Sequence, residues 1–92
     1  MISRTGLLGL FVAGLILTGC AVYTQKEIRG VEKVISQAAA AGAEKKAAYE
    51  YYIAKEYLSN AKEELAEGDD ENAKMVGDKA RARAEEALRK SR

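Results

Sequence analysis

From residue 25 onward the apolar positions recur with a helical beat. Ile28, Val31, Ile35 and Ala38 are spaced 3, 4 and 3 apart, and Ala47, Tyr51, Ala54, Leu58, Ala61 and Leu65 follow at 4, 3, 4, 3 and 4. Such spacing aligns side chains on one face of an α-helix. A third stripe, Ala73, Gly77, Ala80, Ala84 and Ala87, is made of small residues with Val76 and Leu88 beside it. Small faces let helices approach closely, so the bulk that fills the seam is expected from Leu58, Leu65 and the tyrosines. Strands are hard to find, and the expected class is all-α.

End signals set the boundaries. Thr24 followed by Glu27 is a capping box, which starts the first helix at Gln25. At residues 67–72 (EGDDEN), Gly68 can take the left-handed position that ends a helix, and Asp69 or Asp70 can cap the next one. The pattern predicts a helix over about 25–66, a turn at 67–70 and a shorter antiparallel helix over about 71–90, an αα-hairpin. Between the first two stripes, residues 38–48 are rich in alanine, and Gly42 costs a helix only about 1 kcal/mol. With no Ser, Thr, Asp or Asn nearby to cap a new start, the first helix is expected to run through Gly42, bent at most.

A mismatch of length follows. At 1.5 Å per residue the first helix is about 63 Å long and the second about 30 Å, so the early half of the first has no cover from the second. Ile28, Val31, Val34 and Ile35 would face water, which a lone hairpin should not tolerate. Either the chain breaks near Gly42 and folds back as a three-helix bundle, or that stripe packs on another copy or another protein. Lacking a cap at the break, the sequence favours intermolecular packing, with Ile28, Val31 and Ile35 as partner-binding residues.

Ahead of these helices, Arg4 precedes an unbroken apolar run over residues 6–17 (GLLGLFVAGLIL) that ends in Thr18 and Gly19. A charged start, a run of this length and small residues after it are the grammar of a cleavable export signal. A membrane span needs roughly twenty apolar residues, and the run reaches that length only when counted generously, so a retained single-span helix is the weaker reading. The segment Leu17-Thr18-Gly19-Cys20 resembles the bacterial lipobox. That resemblance implies cleavage before Cys20, a diacylglycerol on its sulfur and an N-acyl chain on the new terminus. It divides the chain into a signal peptide at 1–19, a lipidated cysteine and short tether at 20–24, and the helical hairpin at 25–92. Membrane lipid becomes a partner through Cys20, and Ala21 in place of Asp implies the periplasmic face of the outer membrane for a diderm source.

A second resemblance lies in residues 49–88. Ala54, Tyr57, Leu58, Ala61, Leu65, Gly68, Asp69, Ala73 and Ala80 occupy the places of an A-x-x-Y-L-x-x-A-x-x-x-L-x-x-G-D helix and its alanine-rich return. The stretch resembles a tetratricopeptide-type hairpin, and is more similar still to a family of small bacterial envelope proteins that carries a domain of unknown function. Some members join OmpA-like peptidoglycan-binding domains. With no such domain before Arg92, a peptidoglycan association here is expected to come through a partner.

Charge and chemistry narrow the function. The sequence has 15 basic and 14 acidic residues; with Arg4 set aside, residues 20–92 balance. A nucleic-acid binder needs a basic surplus, so none is expected. There is no His, and the one Cys is the lipid candidate, which leaves no Cys-His or Ser-His pair and no soft-metal set; no enzyme, metal or free cofactor is expected. The acidic residues at 63–71 lack the alternation of a calcium loop and suit helix-start charges. Tyr49, Tyr51, Tyr52 and Tyr57 cluster, with Tyr49 and Tyr52 on one face, either covering the hairpin seam or gripping a partner or glycan. The expected role is a lipid-anchored structural or adaptor protein of the envelope, assembling with itself or another envelope protein. The alternatives are a peptidoglycan-binding spacer that uses the tyrosines and a single-span subunit of an inner-membrane complex.

Overall fold

Thr24 opens the folded part of the chain. A computed structural model describes residues 23–92; the apolar run, Leu17, Thr18, Gly19 and Cys20 lie outside the described residues. Helix α1 spans Gln25–Ala40, α2 Ala43–Lys46, α3 Ala48–Ala66 and α4 Asp70–Ser91. The capping box is formed: the Thr24 amide donates to Glu27 Oε2 at 2.7 Å, the Thr24 hydroxyl donates to the same oxygen, and the Lys26 amide donates to Thr24 Oγ1 at 3.2 Å. These bonds satisfy amides that the first turn leaves without intrahelical partners.

All-α is the class, but the single helix expected over 25–66 is not formed. Helix α1 ends at Ala40, and Gly42 takes φ 91°, a left-handed conformation that costs glycine no steric penalty. One turn later Ala47 leaves the helical region again at φ −145°, ψ 52°. The chain thereby reverses, and α1 lies against both α3 and α4 as the third helix of a bundle. Ile28, Val31 and Ile35 are 1, 1 and 8 % exposed inside that bundle, so their assignment to an intermolecular surface is corrected. The physical reason is one of magnitude. Burying each of these side chains is worth about 1.5–3 kcal/mol, whereas a helical hydrogen bond forgone at the corner costs about 1 kcal/mol. Folding back wins without a side-chain cap.

Helices α3 and α4 form the expected hairpin, and its turn is tightly specified. The Asp69 amide donates to the Glu64 carbonyl at 2.9 Å and the Gly68 amide to the Leu65 carbonyl at 3.1 Å, with Gly68 at φ 80°; this is the Schellman ending. Asp69 then caps α4, accepting from the Asn72 amide at 3.1 Å and from the Asn72 side chain at 2.7 Å. The small stripe of α4 is buried as the spacing requires, from Ala73 through Gly77, Ala80 and Ala84 to Ala87. It meets Ala54, Leu58 and Ala61 of α3, while the bulk comes from α1 as well as from the half-buried Tyr51, Tyr57 and Leu65. A second cluster, Ala38, Ala43, Ala47 and Ala87, lets the corner sit on the end of α4. Lys46 Nζ donates to the Ser91 carbonyl there at 3.3 Å.

Two contacts lock the remaining seams. Tyr23 lies over Gly77 with 6 % exposure, and a Cβ at position 77 would collide with its ring and hydroxyl. The Tyr23 hydroxyl is buried without a hydrogen-bond partner among the described residues; burial, followed by the Asp78 and Glu27 carboxylates, pushes its pKa up. At the other end, Lys90 Nζ donates to Glu50 Oε1 at 2.5 Å, pinning the last turn of α4 to the first turn of α3. That bond, with a backbone hydrogen bond behind it, holds the Glu50 carboxyl below its usual range and raises Lys90.

Gly77→Ala is expected to lower stability by about 1–3 kcal/mol, because the added methyl displaces Tyr23 from a packed seam. Tyr23→Phe, which removes a buried hydroxyl that lacks a partner among the described residues, should hold or raise stability. Urea unfolding midpoints of the two variants check both signs. The Glu50–Lys90 bond predicts a pH signature. Because the folded Glu50 pKa is depressed, its contribution is complete above the ordinary glutamate value of 4.5 and is lost as pH falls through the folded value. Glu50→Gln should therefore flatten the acid side of the stability–pH curve while lowering stability at neutral pH.

Candidate functional site

With Ile28, Val31 and Ile35 committed to the core, the exposed large hydrophobic residues among the described ones are Tyr49 at 64 %, Tyr52 at 49 % and Met75 at 52 %. Tyr49 and Tyr52 belong to one surface. Together with Ala48, Ile53, Glu56 and Tyr57 they line a shallow groove along the outside of α3. The local reason is helix phase: residues four apart repeat on one side, so Ala54 and Leu58 point to the core while Tyr52 and Glu56 point away. Helix α3 is thus apolar on two sides, and only one of them is covered.

The four tyrosines expected to act together are divided by that phase. Tyr51 turns inward and packs against both core clusters. Tyr57 is half-buried at the edge of α4, with Lys79 Nζ 5.9 Å from its ring. Tyr49 and Tyr52 share one face, as their spacing implies, and that face is the outer one. The Arg83 guanidinium stands 5.8 Å from the Tyr49 ring, and Lys55 lies 5.9 Å from that of Tyr52. Tyr52 meets Tyr51 edge-on, with centroids 5.2 Å apart and an interplanar angle of 74°. Its hydroxyl donates to Glu44 Oε1 at 2.8 Å, and that bond raises the Tyr52 pKa. The rings are therefore held in place, with cations of α3 and α4 around them, which suits recognition by stacking and by cation–π contact.

Sequence reasoning missed two contributors to this surface and one to the core. Ile53 falls outside the core stripe by one position, and that offset was its signal. The placement of Arg83 over Tyr49 depends on how α4 lies along α3, which no spacing within α4 reveals. Tyr23 was read as part of a free tether, although it is the first residue of the core. Three basic side chains in the second half of α4 are engaged: Arg83 Nη1 donates to Glu86 Oε1 at 3.1 Å, Arg89 lies 3.7 Å from the other oxygen, and Lys90 holds Glu50. In the acidic turn Asp69 spends its carboxylate on capping α4. Among the described residues no group of three or more His, Cys, Asp or Glu side chains is placed to hold a metal ion. No helix among them is long and apolar enough to cross a membrane.

No curated protein and no solved structure was found to match the chain. A family model does match, over residues 26–92, from the first turn of α1 to the end of α4. That span contains the corner at Gly42, the hairpin turn and the outer face of α3, and the chain belongs to the family described as "Domain of unknown function (DUF4398)".

Proposed function

We propose that this chain is a lipid-anchored envelope module that acts as a structural or adaptor protein at the outer membrane, making protein–protein contacts through the outer face of α3. The observation that carries the reading is the exposure of Tyr49 and Tyr52 after the core is complete. Large aromatic side chains with neighbouring cations are the residue types that anchor protein contacts.

The anchor is read from the chain ahead of the bundle. The apolar run, the small residues Thr18 and Gly19, and Cys20 after them fit cleavage and acylation, with diacylglycerol and N-acyl lipid on Cys20. Ala21 after the cysteine favours the outer membrane. The partner is a second copy or another envelope protein, the latter including one that is itself bound to peptidoglycan. A direct peptidoglycan contact is the second reading, favoured by the two outward rings, on which the apolar face of a sugar could stack.

Two measurements test these readings. The intact mass of the protein purified from membranes is expected to equal residues 20–92 plus diacylglycerol and one acyl chain. A mass that retains Met1 with unmodified Cys20 would end the lipoprotein reading in favour of the single-span subunit. The full chain in mild detergent is expected to stay in the supernatant when mixed with purified peptidoglycan. Pelleting that is abolished in the Tyr49→Ala/Tyr52→Ala variant would replace the adaptor with the spacer. Both tyrosines lie outside the core, so the bundle is expected to stay folded without them, which helical circular dichroism of the variant checks.

A further inference from the structure

The outer face of α3 has a symmetry that its sequence order conceals. Residues 48, 49, 52, 53, 56 and 57 fall as three adjacent pairs, each pair four positions from the next. The set therefore reads the same in both directions about a point between Tyr52 and Ile53. Two α3 helices laid antiparallel with a twofold axis at that point bring the face onto itself. Tyr52 of one copy then stands opposite Ile53 of the other, Ala48 opposite Tyr57, and Tyr49 opposite Glu56.

Charge selects the same arrangement. Glu56 is exposed, and it enters no salt bridge among the described residues. Arg83 stands over Tyr49, the residue that Glu56 would oppose. Its side chain is 40 % exposed and bonds Glu86 through one nitrogen, so donors of the guanidinium fork remain for a second carboxylate. By symmetry the Glu56–Arg83 contact forms twice. An acidic glycan on this surface would instead meet the Glu56 carboxylate with a like charge, which is unfavourable.

We infer that the outer face of α3 pairs with a second copy of this chain, in an antiparallel twofold contact centred between Tyr52 and Ile53 and closed by two Glu56–Arg83 ion pairs. The inference rests on the proposed reading of that face as the contact surface of a membrane-anchored module. Ten residues of helix extend only about 15 Å, so the buried surface falls short of the ~800 Å² per partner of a stable complex. Pairing is weak in free solution and is promoted where a membrane confines both copies.

The test uses the full chain in its own membranes. Ile53→Cys, close to the axis, is expected to give a covalent dimer of two copies on mild oxidation. Met75→Cys, exposed on α4 away from the face, should give none, and the parent chain serves as the blank. In the Ile53→Cys background, Glu56→Arg or Arg83→Glu alone should lower the dimer yield about tenfold, and the two together should restore it. A dimer indifferent to these reversals overturns the inference. So does the absence of an Ile53→Cys dimer, and a photo-crosslinking residue in place of Tyr52 then separates the two levels. An adduct with a different protein leaves the contact surface standing and removes only the second copy; no adduct at all removes both. Helical circular dichroism of each variant confirms that the bundle is intact.

Discussion

Everything in this fold depends on covering one stripe, Ile28, Val31 and Ile35. These are the bulkiest aliphatic side chains of α1, and a two-helix hairpin offers them no partner unless the chain turns back on itself. The corner at Gly42 and Ala47 exists to serve that burial, and its own chemistry is modest: a left-handed glycine, a single helical turn and a patch of methyl groups. Once α1 is docked, the alanine face of α4 has neighbours on two sides, and the molecule becomes a closed three-helix unit. Its outward aromatic residues are then left over by construction, which is why they draw attention as a surface.

The division of volume among the helices follows from this arrangement. Helix α4 supplies almost no bulk to the core, since its inward positions are Ala73, Gly77, Ala80, Ala84 and Ala87. Close approach is what it contributes. Helix α1 supplies the branched aliphatic side chains, and α3 supplies Leu58 with the half-buried Tyr51, Tyr57 and Leu65. Enlarging any small position on α4 therefore presses on a helix that has no slack, as the collision of a methyl at Gly77 with Tyr23 illustrates.

Much of this was legible in the sequence, because periodicity and capping are local. The Thr24–Glu27 box, the Gly68 turn, a cap at Asp69 or Asp70 and the buried stripe of α4 all follow from residues within one or two turns of each other. The break at Gly42 was not, because local rules compare a glycine with alanine inside a helix and see a small cost. The decisive term, burial of a stripe ten residues away, is tertiary. The same limit separates Tyr49 and Tyr52, whose common face could be read from spacing, from Arg83 above Tyr49, whose position belongs to the packing of two helices. Tyr23 was illegible for a related reason: it precedes every helix signal, and only the gap at Gly77 gives it a place.

That placement of Tyr23 has a mechanical consequence. The ring lies on Gly77 of α4 just before the first turn of α1. A pull on the chain ahead of it is delivered first to the seam between two helices and only afterwards to the end of one. The hydrogen bonds of α1 are thereby shielded from being peeled open one at a time, because the packed Tyr23 ring must first leave Gly77.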